Sequence, residues 1–492
     1  MADPRERKTI KMTPEGDNDN DNNNVDRLSA LSDCVLLHIL SLLNTKEAAA
    51  TSKLSTTWRN LFLLLPHIDL PFSLNDNASD SERDRLFNHF RLFTDRVLHQ
   101  RSNAPIRKIR FYVTHFVERF SPGFESLLVS TASAISTYKV QELDIVVKKD
   151  KTATQPFSVT IPHGIFISET LVRLNLSLSV GWNVPKCVWL PNLKHLCLIL
   201  FRLEDDDSVQ RLLQGCPSLE NLVLILRSSK VSEIGEGVQV ESSFNVIVKS
   251  KSLQWLACSL KGPHKVFVDA PNLKTFAIKG TVLELQLSQT IASIRKAVID
   301  AEFMFHLVNI NDLLMRAQHA STFFSSLKHV KSLSLSKKIM KALFMSSSAM
   351  PAFRNLMKLR LMPDYFHNLP CPMISHVLLH LFKNSPNLKI IIFSEVLTNY
   401  YGEDDELDYV LPLTFIEHLD VIDIESFQGG ELEFKLVKFF LIKGKSLKRI
   451  SLERYGWKSV PKDCKRILSF KKCTEDCQIV FREKRNGRNL SP

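Results

Sequence analysis

The sequence predicts an α/β chain: a short N-terminal unit of three helices, then an irregular solenoid with a parallel sheet on its concave face. Two observations predict it. Between Asp26 and Leu70 the apolar residues fall at helical spacing in three short runs. From Ile106 onward a triplet recurs, apolar, two residues, apolar, one residue, apolar, with successive starts about 20 to 36 residues apart, the period of stacked repeats.

The N-terminal run comes first. Ser32 stands where it caps a first helix, whose Val35, Leu36, Ile39, Leu40 and Leu43 share one face. Thr45 is placed to cap a second helix carrying Ala48 and Ala49, and Ser55 a third with Trp58 and Leu61 inward. Short helices over about 45 residues make a marginal core. Such a unit is completed by the domain behind it or by a partner in front.

Asp26-Arg27-Leu28, Leu31, Ile39-Leu40, Leu42-Leu43, the run Thr45 to Ser52, Leu54-Ser55, Trp58-Arg59-Asn60-Leu61 and Leu65-Pro66 together resemble an F-box. Ser32 stands where the family usually has Pro, and Phe62 where plant members often have Trp. The resemblance implies docking to a Skp-family adaptor and, through it, to a cullin. It implies adaptor contacts at Leu28, Leu31, Val35, Leu36, Ile39, Leu40, Leu43 and Ala48, with Trp58 and Leu61 holding the helices together. Recognition would be of the helix-in-groove kind, dominated by a few buried anchors.

The triplets begin at Ile106, Val140, Leu171, Leu193, Leu219, Leu253, Leu273, Ile294, Val330, Leu356, Leu388, Leu419 and Leu447. Pro191-Asn192, Pro217-Ser218, Pro271-Asn272 and Pro386-Asn387 stand just before a triplet, where Pro is tolerated ahead of a strand. Helical runs over 207–213 and 374–382 precede others. Each repeat therefore reads as a strand plus a return that is sometimes helix and sometimes loop. A single repeat cannot bury its leucines, so the repeats stack. They resemble the degenerate leucine-rich repeats of plant F-box proteins. Residues 415–424, Phe427-Gln428-Gly429, 436–443 and Leu447 to Leu452 resemble an FBD region. Physically this region is strand, turn, helix and strand continuing the stack, with Ile479-Val480-Phe481 as a final edge strand.

The expected organisation is a disordered Asn/Asp-rich tail over 1–25 and an F-box over 26–70. A linker and connecting helix follow over 71–104, carrying Leu86, Phe87, Phe90, Leu92, Phe93, Val97 and Leu98 on one face. A leucine-rich-repeat solenoid then covers 105–410, an FBD cap 411–482 and a basic tail 483–492.

The chain has 492 residues and a formal net charge of +12. Its Lys and Arg are scattered, without the interleaved aromatics of a nucleic-acid module, so acidic protein partners are expected rather than nucleic acid. Nine Cys, an odd number, sit mostly in apolar runs, and no signal peptide is read. Reduced thiols in a nuclear or cytoplasmic protein are expected. No apolar run approaches the ~20 residues needed to span a bilayer, so no membrane partner is expected.

Chemistry leaves few marks. No Gly-rich phosphate loop follows a strand. Cys473 and Cys477, and His376 with His380 near Cys371, lack the companions a zinc site needs. Cys34 has no flanking His to activate it. No catalytic residue, metal or cofactor is expected. The acidic runs 204–207 and 403–406 read as solvated loops, the second flanked by Tyr400, Tyr401 and Tyr409 as an interface candidate.

The F-box resemblance implies the substrate-recognition subunit of an SCF-type cullin ubiquitin ligase, its repeats holding a protein target. Two other readings stay open. One is a repeat scaffold acting without a ligase. The other is a small-molecule sensor of the F-box repeat type, for which Arg173, Lys194, Lys274, Lys328, Lys358 and Lys389 lie near strands without convergence in the sequence.

Overall fold

The computed structural model describes residues 28, 31–75, 77–101, 104–153, 157–200, 207–227, 245–288, 291–303, 310–345, 350–363, 371–395, 411, 413–454 and 461–483. The tail over 1–25, most of the acidic run 204–207, the whole run 403–406 with its tyrosines, and 484–492 lie outside these residues. The chain divides into two compact units, Met1–Leu65 and Pro66–Pro492.

The first unit holds three helices, α1 (Asp33–Ser41), α2 (Thr45–Thr51) and α3 (Thr56–Leu63). Leu36 and Leu40 of α1, Ala48 of α2, and Trp58, Leu61 and Phe62 of α3 form its core.

The second unit is built on one 16-stranded sheet in which every neighbouring pair is parallel. In order these are β1 (His67–Phe72), β2 (Lys108–Phe116), β3 (Glu142–Lys149), β4 (Arg173–Leu178), β5 (His195–Leu200), β6 (Asn221–Arg227), β7 (Asn245–Lys249) and β8 (Trp255–Asp269). Then come β9 (Thr275–Leu287), β10 (Lys296–Phe303), β11 (Ser332–Leu335), β12 (Lys358–Leu361), β13 (Ile390–Phe393), β14 (Val421–Ile424), β15 (Arg449–Arg454) and β16 (Gln478–Glu483). Apart from β7, which pairs beside β8, spatial order follows sequence order.

Every predicted triplet leads into or lies in one of these strands, and its apolar residues are buried. Register puts like on like. Leu174, Leu196, Leu222, Leu256 and Phe276 stand side by side across β4, β5, β6, β8 and β9. Between them the alternate residues face outward, as in β5, where Leu196, Leu198 and Leu200 are buried and His195, Cys197 and Ile199 are half-exposed. Parallel sheets are ordinarily covered on both faces. Here helices and turns account for one face, and the alternation of half-exposed residues marks the other as open.

The Pro-Asn-Leu turns have a specific job. Asn192 donates its side-chain N–H to the Glu169 carbonyl at 2.7 Å, Asn272 to that of Lys251 at 2.8 Å, and Asn387 to that of Arg354 at 2.7 Å. Each amide therefore ties its turn to the corresponding turn one repeat earlier. In the C-terminal segment, buried Glu433 near the start of a helix accepts from the backbone N–H of Gln428, Gly429 and Gly430 at 2.8, 2.7 and 3.2 Å. That locks the turn between β14 and the following helix. β16 then closes the path, paired with β15.

Three expectations are corrected. The N-terminal unit expected over 26–70 takes in part of His67–Phe72, which is the first strand of the sheet. Residues 71–104 are not a linker. Their helix α4 (Asp80–His99) is the return between β1 and β2 and packs against the next return, α5 (Ser121–Tyr138), in a cluster of phenylalanines. Phe87 stacks on Phe120 at 4.2 Å between centroids. The buried stripe of α4 runs Arg83, Phe87, Phe90, Thr94, Val97 and Leu98, which leaves Leu86 and Leu92 exposed. Finally, returns are not only helix or loop. β8 and β9 run on past the sheet's width, and β7 pairs with the far half of β8, so one return is made of strand.

That strand-built return turns at glycines. Gly262 and Gly280 have φ of 121° and 114°, values open to Gly at little cost. A Cβ on Gly280 would also overlap the Leu260 carbonyl oxygen. Gly280→Ala is therefore expected to cost about 1–3 kcal/mol, read as a lower melting temperature of the whole chain by circular dichroism. An unchanged melt would show that the corner tolerates a side chain.

Candidate functional site

Two surfaces stand out, one on each unit. On the first, local capping sets the helices. Asn44, not Thr45, caps α2: its side chain accepts from Glu47 N at 3.0 Å while Glu47 returns a bond to Asn44 N at 3.3 Å, a reciprocal capping box. Thr45 is instead buried at the first helical position. Ser55 caps α3 through Trp58 N at 3.3 Å. Ser32 occupies the cap position of α1 in extended backbone, but its side chain makes no capping bond.

The ten residues read as docking contacts fall into two groups. Leu36, Leu40, Ala48, Trp58 and Leu61 are buried in the unit's own core. Leu28, Leu31, Val35 and Leu43 are exposed, and Ile39 is half-buried. Sequence reasoning passed over Leu64 and gave Leu42 and Leu54 no role beyond the motif. Leu42 is 74% exposed, Leu54 65% and Leu64 50%. Their signal was available: each ends or follows a helix, beyond the residues that the helical period turns inward. A unit this small with a closed core and this many exposed leucines presents an apolar surface larger than a solitary small domain ordinarily leaves open.

The second surface is the open face of the sheet. Across β2 to β8 it forms a cavity of about 650 Å³ lined by Glu142, Arg173, His195, Asn221 and Trp255, among others. Asn221 donates its side-chain N–H to Nδ1 of His195 at 3.0 Å, which leaves the ring proton on Nε2. Burial, and then the nearby Arg173 guanidinium, hold His195 below the usual histidine range, so the ring is neutral at pH 7. Asn175 donates to Asp144 at 2.6 Å, and Lys108 and Arg110 pair with Glu142 and Asp144 at 3.8 and 3.4 Å. Burial pushes the Cys197 thiol up to about 11. With its thiol and imidazole uncharged, this face can bind by their hydrogen bonds and by the charges of the ion pairs around them.

Among the described residues, no three His, Cys, Asp or Glu side chains gather as a metal site. Nor is any helix among them long and apolar enough to cross a membrane. His376 and His380 are half-buried, their rings 4.5 Å apart and His376 against Phe344. Burial, then His376, hold His380 below the usual range.

The chain's relatives agree with this division. A family model described as the leucine-rich repeats of FBD-associated F-box protein At5g56370 matches residues 130–361, and the F-box domain model matches 28–67. F-box/LRR-repeat protein At4g14096 of Arabidopsis thaliana is 30% identical, covering 76% of this chain and 74% of its own length. F-box/LRR-repeat protein At2g42720 of the same plant is 27% identical over 92% of this chain and 99% of its own, and FBD-associated F-box protein At5g27750 is 26% identical over 92% and 98%. A helical docking unit followed by a repeat sheet with an open face defines an adaptor-type binding protein. This chain belongs to the plant F-box/leucine-rich-repeat family with FBD association.

Two measurements follow from the burial pattern. Leu40→Ala empties a core position and is expected to cost ~2–5 kcal/mol. Leu42→Ala, on the exposed side, stays within about 0.5 kcal/mol. Hydrogen exchange over 33–63 in the full chain reads both, and equal protection in the two variants would refute the assignment. For the thiols, burial pushes Cys216 and Cys258 up to about 12, so at pH 8 both stay protonated and shielded. Brief alkylation of the native protein at pH 8 should modify exposed Cys34, Cys187 and Cys473 and spare Cys216 and Cys258, as read by mass spectrometry.

Proposed function

We propose that this chain is the substrate-recognition subunit of an SCF-type cullin ubiquitin ligase. Its N-terminal unit docks a Skp-family adaptor, and through it a cullin, while the repeat sheet holds a protein target in the nucleus or cytoplasm. The observation that carries this reading is the exposed apolar set Leu28, Leu31, Val35, Leu42 and Leu43 on a unit whose core is already closed by Leu36, Leu40, Trp58 and Leu61. Exposed leucines that contribute nothing to the unit's own core gain from a partner that buries them. The buried group holds α1, α2 and α3 in position and touches the adaptor, if at all, only at its edges.

The chain itself carries out no reaction on this reading. A target held beside a ubiquitin-charged enzyme reacts faster because its effective concentration rises. The sheet face supplies hold, and the chemistry belongs to the partner enzyme. Pull-down of the full chain with a panel of Skp-family adaptors tests the proposal. Wild type is expected to bind, and Leu31→Asp with Val35→Asp to bind about tenfold or more weakly, since each anchor carries ~2 kcal/mol. Both positions are exposed, so circular dichroism should be unchanged. Full binding by that variant would refute these contacts, and wild type binding no adaptor would favour a scaffold that works without a ligase.

A further inference from the structure

The residue just before each strand forms a continuous row along the sheet's leading edge. Its backbone N–H donates to the carbonyl of its counterpart one repeat earlier: Lys274 to Gln254 at 2.8 Å, Arg295 to Lys274 at 2.8 Å, Lys331 to Arg295 at 2.9 Å, Met357 to Lys331 at 2.9 Å, and Lys389 to Met357 at 3.0 Å. Counterparts in such a row lie one strand spacing apart, about 4.8 Å. Charges scattered through the sequence therefore become neighbours in space.

In the middle of this edge the charge is all of one sign. The segments leading into and through the first residues of β8 to β13 are 250–258, 270–278, 291–298, 326–334, 351–360 and 384–392. Together they hold ten Lys and Arg and no Asp or Glu. Lys274, Arg295, Lys296, Lys331 and Lys358 are exposed, and none of the five is ion-paired among the described residues. The same row is balanced at both ends. Lys194 pairs with Glu220 at 3.0 Å, and Asp420 lies between Lys389 at 3.9 Å and Lys448 at 3.5 Å. Unpaired like charges one strand apart repel each other, and nothing inside the described chain offsets that repulsion. An anionic partner would.

We propose that the leading edge from β8 to β13 is the docking strip for an acidic polypeptide segment of the target. This rests on the reading that the repeat unit holds a protein. A polypeptide fits better than nucleic acid for two reasons. Exposed Met357 sits in the row itself between Lys331 and Lys389, and half-exposed Ile390 stands next to Lys358, so apolar side chains are met along with the carboxylates. Of the rings in these segments Phe276 and Phe353 are buried, and half-exposed Trp255 at the β8 end and His329 alone face outward, too few for a run of stacked bases.

The test is fluorescence anisotropy of the full chain with a fluorescein-labelled Glu/Leu peptide beside its Gln/Leu counterpart. The Glu peptide is expected to bind, more weakly as salt rises, and the Gln peptide not to bind. Arg295→Glu with Lys331→Glu should weaken binding by about tenfold or more, and Arg295→Gln with Lys331→Gln by an intermediate factor. Lys186→Glu with Lys261→Glu, the same charge change elsewhere, should leave it intact. Equal binding of the two peptides, equal loss in the Lys186 and Lys261 variant, or tighter binding of a short DNA duplex would each overturn the proposal. Adaptor pull-down of the same proteins separates the two readings. Wild type that binds the Glu peptide but no adaptor counts against the ligase, and wild type that binds an adaptor but not the Glu peptide counts against the strip.

Discussion

The fold rests on one constraint: no repeat can bury its own leucines. A single strand with one apolar face has nothing of its own to put against that face. Burial comes only when the next strand takes the same register. The backbone row along the leading edge enforces that register, each repeat donating to the one before it. The Asn side chains of the Pro-Asn-Leu turns repeat the tie at the turn. Stability in such an array is a sum of neighbour terms, so the ends are where it is weakest. The phenylalanine cluster around Phe87, Phe116 and Phe120 at the first repeats, and β16 at the last, stand at those ends.

The same constraint explains why the returns vary so much. Only the strand and its triplet must match the neighbours. What comes between may be a helix of 20 residues, as in α4, or an extension of the strands themselves, as in β8 and β9. This freedom leaves one side of the sheet irregular and the other uniform. On the uniform side the half-exposed residues of successive strands are set out in rows, and side chains far apart in sequence meet. Arg173, His195 and Asn221 come together there, as do the cations from Lys274 to Lys358.

The N-terminal unit works by a different economy. Its helices are short and its core is small, so capping does much of the positioning. The reciprocal Asn44 and Glu47 bonds and the Ser55 cap fix where α2 and α3 begin. With Leu36, Leu40, Trp58 and Leu61 turned inward, the remaining leucines face solvent. A helix face wider than the core it covers is what a docking module requires.

The sequence by itself determined the order of the parts, the repeat and the sheet, because a triplet with fixed internal spacing specifies strand and buried face locally. It also marked the N-terminal segment by a motif of many residues in order. It did not determine which apolar residues of that segment were spare, since Leu40 and Leu42 differ in exposure and not in type. Nor could it place the boundary at Leu65, since the alternating Ile68 and Leu70 just beyond it belong to the sheet and not to the helices. The strand-built return at β7 to β9 also needed the structure, because it depends on glycine backbone angles that neighbouring strands select. Only the tertiary structure decided where charge converges. Lys274, Arg295 and Lys331 lie about 20 or more residues apart along the chain, and stacking at one strand spacing per repeat brings them together.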